Sequence, residues 1–332
     1  MHSSTRFRQW APLLACLIIH ITHSTPAGEA ILGRRRTPER GAVNVVSYNV
    51  QSFPSTLQWA IYVPNADRIE HIATTKVMQS PQLDVVVLQE AFAKSTVKRL
   101  ANDLSLMGFS HVVKPARHPF KLTGGVMIAS RSMLIRESSL TFQTCCGLDC
   151  FAAKGIVFVE TRIDGKSVGI IGTHLQANDP LCASFSSTAY EAAREVRRDQ
   201  LRQIRQFVDR EENARLDVMI VAGDLNVNGY AEAASDQETE EWNEMMQALQ
   251  AAPMTRTKHR TTLDHSMDPA TNSYMARTGD TKHEHLDYVL SLRLPGRSAP
   301  PNATTLRVHR ARHPITNADL SDHHPVHGRV PL

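Results

Sequence analysis

At 332 residues, with 42% apolar and 21% charged side chains, the chain has ordinary globular statistics and enough length for one large α/β domain or two smaller ones. Its formal charge of +4 is too small over that length to mark a nucleic-acid binder, since such proteins concentrate Lys and Arg on one face.

The first residues follow the order of a secretory signal: Arg6 and Arg8, an apolar run over residues 10–21, then small and polar residues through Ala27. That run is well short of the ~20 residues that a spanning helix needs, so residues 1–27 are expected to be a cleaved signal and the protein to be secreted. Residues 28–42, with Arg34, Arg35, Arg36 and Arg40, are expected to be a linker or pro-segment. Cleavage removes Cys16 and leaves Cys145, Cys146, Cys150 and Cys182, an even number in an oxidising compartment, where disulfides are expected. Their spacing lacks the paired CxxC pattern of a zinc site.

From Val43 onward the chain contains short apolar runs of strand length bounded by turn formers: VNVVSYNV, LDVVVLQEAF, GGVMIAS, KGIVFVETRI, KSVGIIGTHL, LDVMIVAGDLNV and LDYVLSL. They predict extensive sheet. The clearest helix is predicted over residues 187–210, where Val196, Gln200, Leu201, Ile204, Phe207 and Val208 recur at helical spacing between arginines. Those arginines are expected to form a solvated face, with Arg197 the one to watch. Residues 295–302 read as a surface loop, and Asn302-Ala303-Thr304 is a glycosylation sequon that matters only in a eukaryotic host exporting the chain.

Polar residues recur at the ends of these runs. Asn49 closes the first, Glu90 the second and His174 the fifth. Asp224 and Asn226 close the sixth, Asp287 interrupts the last, and Asp322 and His323 stand near the C-terminus. Each alone reads as a turn cap. Together, several oxygen donors on separate strands suit a hard cation such as magnesium, and two imidazoles supply proton transfer near neutral pH.

The order YN, QE, GTH, GDLN, LDY and SDHHPV, over residues 43–330, resembles the endonuclease/exonuclease/phosphatase superfamily. The resemblance implies a single DNase I-like α/β domain over residues 43–332: a four-layer sandwich of two mixed β-sheets flanked by helices. It implies that Glu90 holds a divalent metal with Asn49 close by, and that Asp322 approaches the metal or braces its loop. Asp224 and Asn226 would orient the attacking water and the phosphate, His323 would be the general base held by Asp287, and His174 would meet the phosphate oxygens. The implied cofactor is Mg2+, with Mn2+ or Co2+ as substitutes.

Three further stretches resemble the bacterial and neutral sphingomyelinases. GTHLQANDPLC ends at Cys182; Arg197, Gln200, Leu201, Ile204 and Phe207 match an R-x-x-Q-L-x-x-I-x-x-F helix; and CGLDCFAAKG runs from Cys146 past Asp149 and Lys154. The resemblance places Asp149 and Lys154 at the active site and implies a Cys146–Cys182 bridge; the pairing of Cys145 and Cys150 stays open. It implies hydrolysis of sphingomyelin at a bilayer surface to ceramide and phosphocholine, with no obligate protein partner and no role for nucleic acid. The alternatives are a secreted magnesium-dependent nuclease of the same superfamily and a catalytically silent lipid-binding module.

Two departures stand out. Secreted bacterial members dock on lipid through a late hairpin with exposed aromatics, whereas residues 292–322 here contain no Trp, Tyr or Phe and carry Arg307, His309, Arg310, Arg312 and His313. That cationic segment is a candidate for meeting anionic head groups. Lys94 stands where some members use an amide at a peripheral metal site, so one essential metal is expected.

Overall fold

The computed structural model describes residues 41–56, 65–183, 188–230, 238–257, 263–277, 279, 281–297 and 302–332. The expected signal segment, residues 28–40 of the expected linker and residues 298–301 of the expected loop lie outside them. Residues Arg40–Leu332 belong to one compact unit.

Two sheets form its centre. The first has seven strands in the order β3 (His111–Val113), β4 (Met127–Ser130), β2 (Val85–Ala91), β1 (Ala42–Ser52), β12 (Val326–Pro331), β11 (Thr304–Val308) and β9 (Met254–Arg256). The second has five, in the order β10 (Asp287–Leu292), β8 (Val218–Asp224), β7 (Lys166–His174), β6 (Gly155–Ile163) and β5 (Leu134–Thr141). Parallel and antiparallel pairs occur in both, so both are mixed. Each of the seven apolar runs forms a strand. The remaining strands are short, or alternate with polar residues as in β12, and so give a weaker apolar signal.

The period of two in β1 sorts its side chains between two cores. Val43 and Val45 enter the core shared with the second sheet, while Val46, Tyr48 and Val50 pack in the other core with Leu100 and Leu104 of α2 (Lys94–Leu106) and Ile69 and Ile72 of α1 (Ile69–Ile72). Beyond the second sheet lie α3 (Ala189–Val208) and α4 (Glu240–Leu249), and the Phe158 and Phe207 rings meet at 5.2 Å. The layers are therefore helix, sheet, sheet, helix. Close approach of the sheets requires glycine on β12: a Cβ on Gly328 would lie 2.3 Å from the Val289 side chain of β10. Burying each large aliphatic of these cores contributes roughly 1.5–3 kcal/mol.

Helix α3 begins where the Thr188 hydroxyl accepts from the Glu191 N–H (3.2 Å) and ends at Val208, close to the predicted bounds. Its arginines correct the expectation of a solvated face. Arg197 is 1% exposed and makes a two-pronged ion pair with Glu241 of α4, while Arg194 and Arg205 are also buried. Only Arg198 and Arg202 keep to solvent appreciably. Periodicity counted a guanidinium as polar, but this one is buried because α4 offers a carboxylate and the chain offers the Gln176 carbonyl and Asn178 Oδ1, each at 3.0 Å.

Candidate active site

Neighbouring strand ends bring the site together. His174 and Asp224 are register partners at the ends of parallel β7 and β8, and Asp287 opens antiparallel β10 opposite Asp224. In the first sheet, Asn49 lies on β1 beside Gln89 of β2, which puts Glu90 next to it. The segment before β12 supplies Ser321, Asp322 and His323, and the Ser321 hydroxyl donates to the Asn49 carbonyl (2.7 Å).

At the centre, Asn49 Nδ2 donates to Glu90 Oε1 and to Asp224 Oδ2, each at 3.0 Å. Glu90 sits in the left-handed region, φ 55°, which turns its carboxylate out of the strand's alternation. Its other oxygen, Oε2, is buried without a hydrogen-bond partner, as is Gln51 Oε1. Burial first, and then repulsion from Asp322, push Glu90 up to about 7, against the Asn49 bond. Asp322 accepts from the Gln51 Nε2–H and from the Ser321 hydroxyl.

His323 Nδ1 lies 2.7 Å from Asp287 Oδ2, and its Nε2 lies 3.7 Å from Asp224 Oδ2. Burial alone would lower the His323 pKa, but Asp287 and Asp224 outweigh it and raise it well above the ordinary value. His174 is its opposite. Burial and then the Lys154 ammonium push it down to about 3, and its Nε2 is 3.1 Å from Lys154 Nζ, which can only donate. Lys154 also donates to Asp149 Oδ2 (2.7 Å) and to the Leu175 carbonyl (2.9 Å), and Asn226 Nδ2 donates to that carbonyl as well (3.1 Å).

The turn carrying Asp149 is fixed by two disulfides, Cys146–Cys182 and Cys145–Cys150; the second pairing was open in the sequence. Gln176 accepts from the Cys146 N–H (3.0 Å), so the segment after β7 and the disulfide turn are one assembly.

Asn49, Glu90, Asp149, Lys154, His174, Asp224, Asn226, Asp287, Asp322 and His323 thus form one linked network. Asn49 enters it through its amide nitrogen, its Oδ1 accepting from the Gln51 N–H (3.0 Å), so here it brackets two carboxylates. Sequence reasoning missed Gln51 and Arg68. The Arg68 guanidinium is buried and donates to the carbonyls of Val50, Gln51 and Leu320, joining the end of β1 to the Asp322 loop. Gln51 had a signal, a polar residue two places after Asn49; Arg68 had none.

Which residues fit a cation follows from their free oxygens. Asp224, Asp287 and His323 are close enough to share one, with ligand atoms within 4.8 Å of one another. Most of their atoms are engaged, Asp287 Oδ2 with His323 Nδ1 and Asp224 Oδ2 with Asn49 Nδ2, and Asp287 Oδ1 alone among their carboxylate oxygens is buried without a hydrogen-bond partner. Glu90 Oε2 and Gln51 Oε1, beside Asp322, are unsatisfied oxygens of the kind that magnesium prefers, so the Glu90 side fits it better.

A two-sheet sandwich whose strand ends converge on carboxylates and a carboxylate-held imidazole defines a metal-assisted hydrolase. The chain belongs to the Endonuclease/Exonuclease/phosphatase family, whose model matches residues 46–323. It is 28% identical to a sphingomyelinase C of Listeria ivanovii over 87% of this chain and 86% of that one. It is 25% identical to a sphingomyelinase C of Bacillus cereus over 92% of this chain and 93% of that one. The fold is similar to that of a Staphylococcus aureus beta toxin with bound magnesium ions (TM-score 0.69, 21% identity, 87% of this chain and 99% of that one).

Proposed function

We propose that the chain is a secreted, magnesium-dependent sphingomyelin phosphodiesterase. The observation that carries the reaction class is the Asp287–His323 pair facing Asp224, with the unsatisfied Glu90 oxygen on the other side of Asn49. The choice of substrate is supported by relatives named sphingomyelinase C along most of the chain, and by the joining of the GTHLQ and CGLD stretches through Cys146–Cys182 and Lys154.

Glu90 would hold the cation, with Gln51 and Asp322 beside it, and the cation would supply positive charge against the phosphoryl oxygens. In its neutral form, His323 takes a proton from water through Nε2 as the water oxygen bonds to phosphorus and the phosphorus–oxygen bond to ceramide breaks, and the departing ceramide oxygen takes a proton from solvent. The field of Asp287 and Asp224 stabilises the imidazolium formed, and Asp287 keeps the ring oriented through Nδ1. Asp224 and Asn226 position the water. Lys154 and the neutral His174 face the phosphoryl oxygens, and Asp149 holds Lys154 in place.

Phosphocholine release from sphingomyelin vesicles, with and without a chelator, tests the reading against phosphatidylcholine, lysophosphatidylcholine and plasmid DNA. The expected result is chelator-sensitive release from sphingomyelin. Plasmid cleavage at a comparable molar rate would make the protein a nuclease, and vesicle binding with no release from any substrate would make it a silent module.

A further inference from the structure

Phe120, Leu148, Phe151 and Leu181 are 92%, 60%, 68% and 68% exposed, and covalent and backbone bonds gather them on one surface. Leu148 and Phe151 lie on the 3-10 turn Gly147–Phe151 and Leu181 on the 3-10 turn Pro180–Cys182. The Cys146–Cys182 disulfide clasps the two turns, and the Leu148 N–H donates to Asp179 Oδ2 (2.5 Å). Phe120 belongs to the neighbouring segment, whose Leu122 N–H donates to the Phe151 carbonyl (2.9 Å) and whose Leu122 carbonyl accepts from Ala153 (3.0 Å). A single exposed apolar side chain needs no explanation, but three on disulfide-clasped turns and a fourth on the segment bonded to them form a patch.

The patch adjoins the proposed site. The Gly147–Phe151 turn also carries Asp149, which meets Lys154. The segment bearing Phe120 continues to Gly125, whose carbonyl accepts from Ala91, the residue after Glu90 (2.8 Å). The segment that bears Phe120 is cationic. Lys114, Arg117 and Lys121 are exposed and make no ion pair with a described carboxylate, whereas the nearby Asp149 and Asp179 are turned inward onto Lys154, Ala177, Leu148 and Leu181. In the basic segment after β11, Arg310 bonds the Thr271 carbonyl, Arg312 bonds Asn317, and His309 packs on His327.

We propose that this disulfide-clasped surface docks on a phospholipid bilayer, with Phe120, Leu148, Phe151 and Leu181 entering the acyl boundary and Lys114, Arg117 and Lys121 among the head-group phosphates. Apolar tips beside a cationic segment match a lipid–water interface, apolar below and anionic at phosphate depth. The docking deepens the phosphodiesterase reading and rests on it only for its catalytic consequence, the presentation of a head group to the site.

Cosedimentation of the exported protein with phosphatidylcholine–sphingomyelin vesicles in chelator measures docking without turnover. The double variant Phe120→Asp, Leu181→Asp is expected to lower the partition coefficient at least about tenfold, and Leu106→Asp or Ile315→Asp, exposed elsewhere, to leave it unchanged. Arg117→Glu with Lys121→Glu is expected to weaken binding most on vesicles containing phosphatidylserine. Circular dichroism verifies that each variant is folded. Equal partition of the Phe120/Leu181 variant and the parent overturns the proposal, as does a parent dimer that this variant dissociates. Surface-dependent docking without hydrolysis under metal overturns the reaction and supports the surface; hydrolysis with docking indifferent to these variants does the reverse.

Discussion

Asn49 and Asp224 lie 175 residues apart in sequence and on different sheets, yet Asn49 Nδ2 donates to Asp224 Oδ2 at 3.0 Å while also holding Glu90. One amide therefore keeps two buried carboxylates apart across the joint between the sheets. Asn49→Ala is expected to lower kcat by about 10²–10³, by removing the donor that orders both acids. Asn49→Asp should lower it at least as much, because it adds a third buried negative charge. Steady-state kinetics with saturating magnesium, alongside melting curves, checks both.

Asp287→Asn leaves a side chain of the same size against His323 but removes the charge that favours the imidazolium. The rate is expected to fall about 10³–10⁴-fold, and the apparent pKa of His323 to fall with it. A kcat/KM profile against pH, or an NMR titration of the ring, measures the shift. An unchanged His323 titration would remove Asp287 from its proposed role.

With no cation bound, burial and Asp322 hold Glu90 near pH 7. A ligand carboxylate must be ionised, so cation binding should release about one proton at pH 6 and much less at pH 8.5, with affinity rising as pH rises through about 7. Titration calorimetry in buffers of different ionisation enthalpy counts the proton directly. Glu90→Gln should abolish both the release and the chelator-sensitive activity.

Burial depresses His285 to about 3 and His327 to about 4, the latter helped by His309 and nearby arginines. Both imidazoles are neutral in the fold and take up protons at higher pH when it is lost. Their contribution is therefore complete above pH ~6.5 and declines as pH falls toward 3–4, by ~2 kcal/mol each at pH 5. Melting temperatures between pH 7 and 5 should drop by several degrees, and less steeply in His285→Phe.

The Cys146–Cys182 bridge spans 36 residues and anchors the turn that carries Asp149. Its removal by Cys146→Ser with Cys182→Ser should destabilise the protein by about 3–4 kcal/mol. Activity should fall further than stability explains, since Asp149 no longer holds Lys154. Calorimetry and kinetics below the melting range separate the two effects.

The apolar runs, with polar residues at their ends, made the strands and most of the candidate site legible. A side chain at a strand terminus is positioned by local backbone, and β-period alternation is a local property. Helix α3 was legible for the same reason, yet its arginines were misjudged because their partners on α4 are about 45 residues away. Arg68 was invisible, since its role consists of three carbonyls supplied by two distant segments. By itself the sequence determined the apolar strands, the helix bounds and the candidate acids and imidazoles. The tertiary structure decided which oxygens are engaged and which are left free, how Cys145 and Cys150 pair, and which apolar residues share a surface. Those depend on distances between residues remote in sequence, and local pattern carries no information about them.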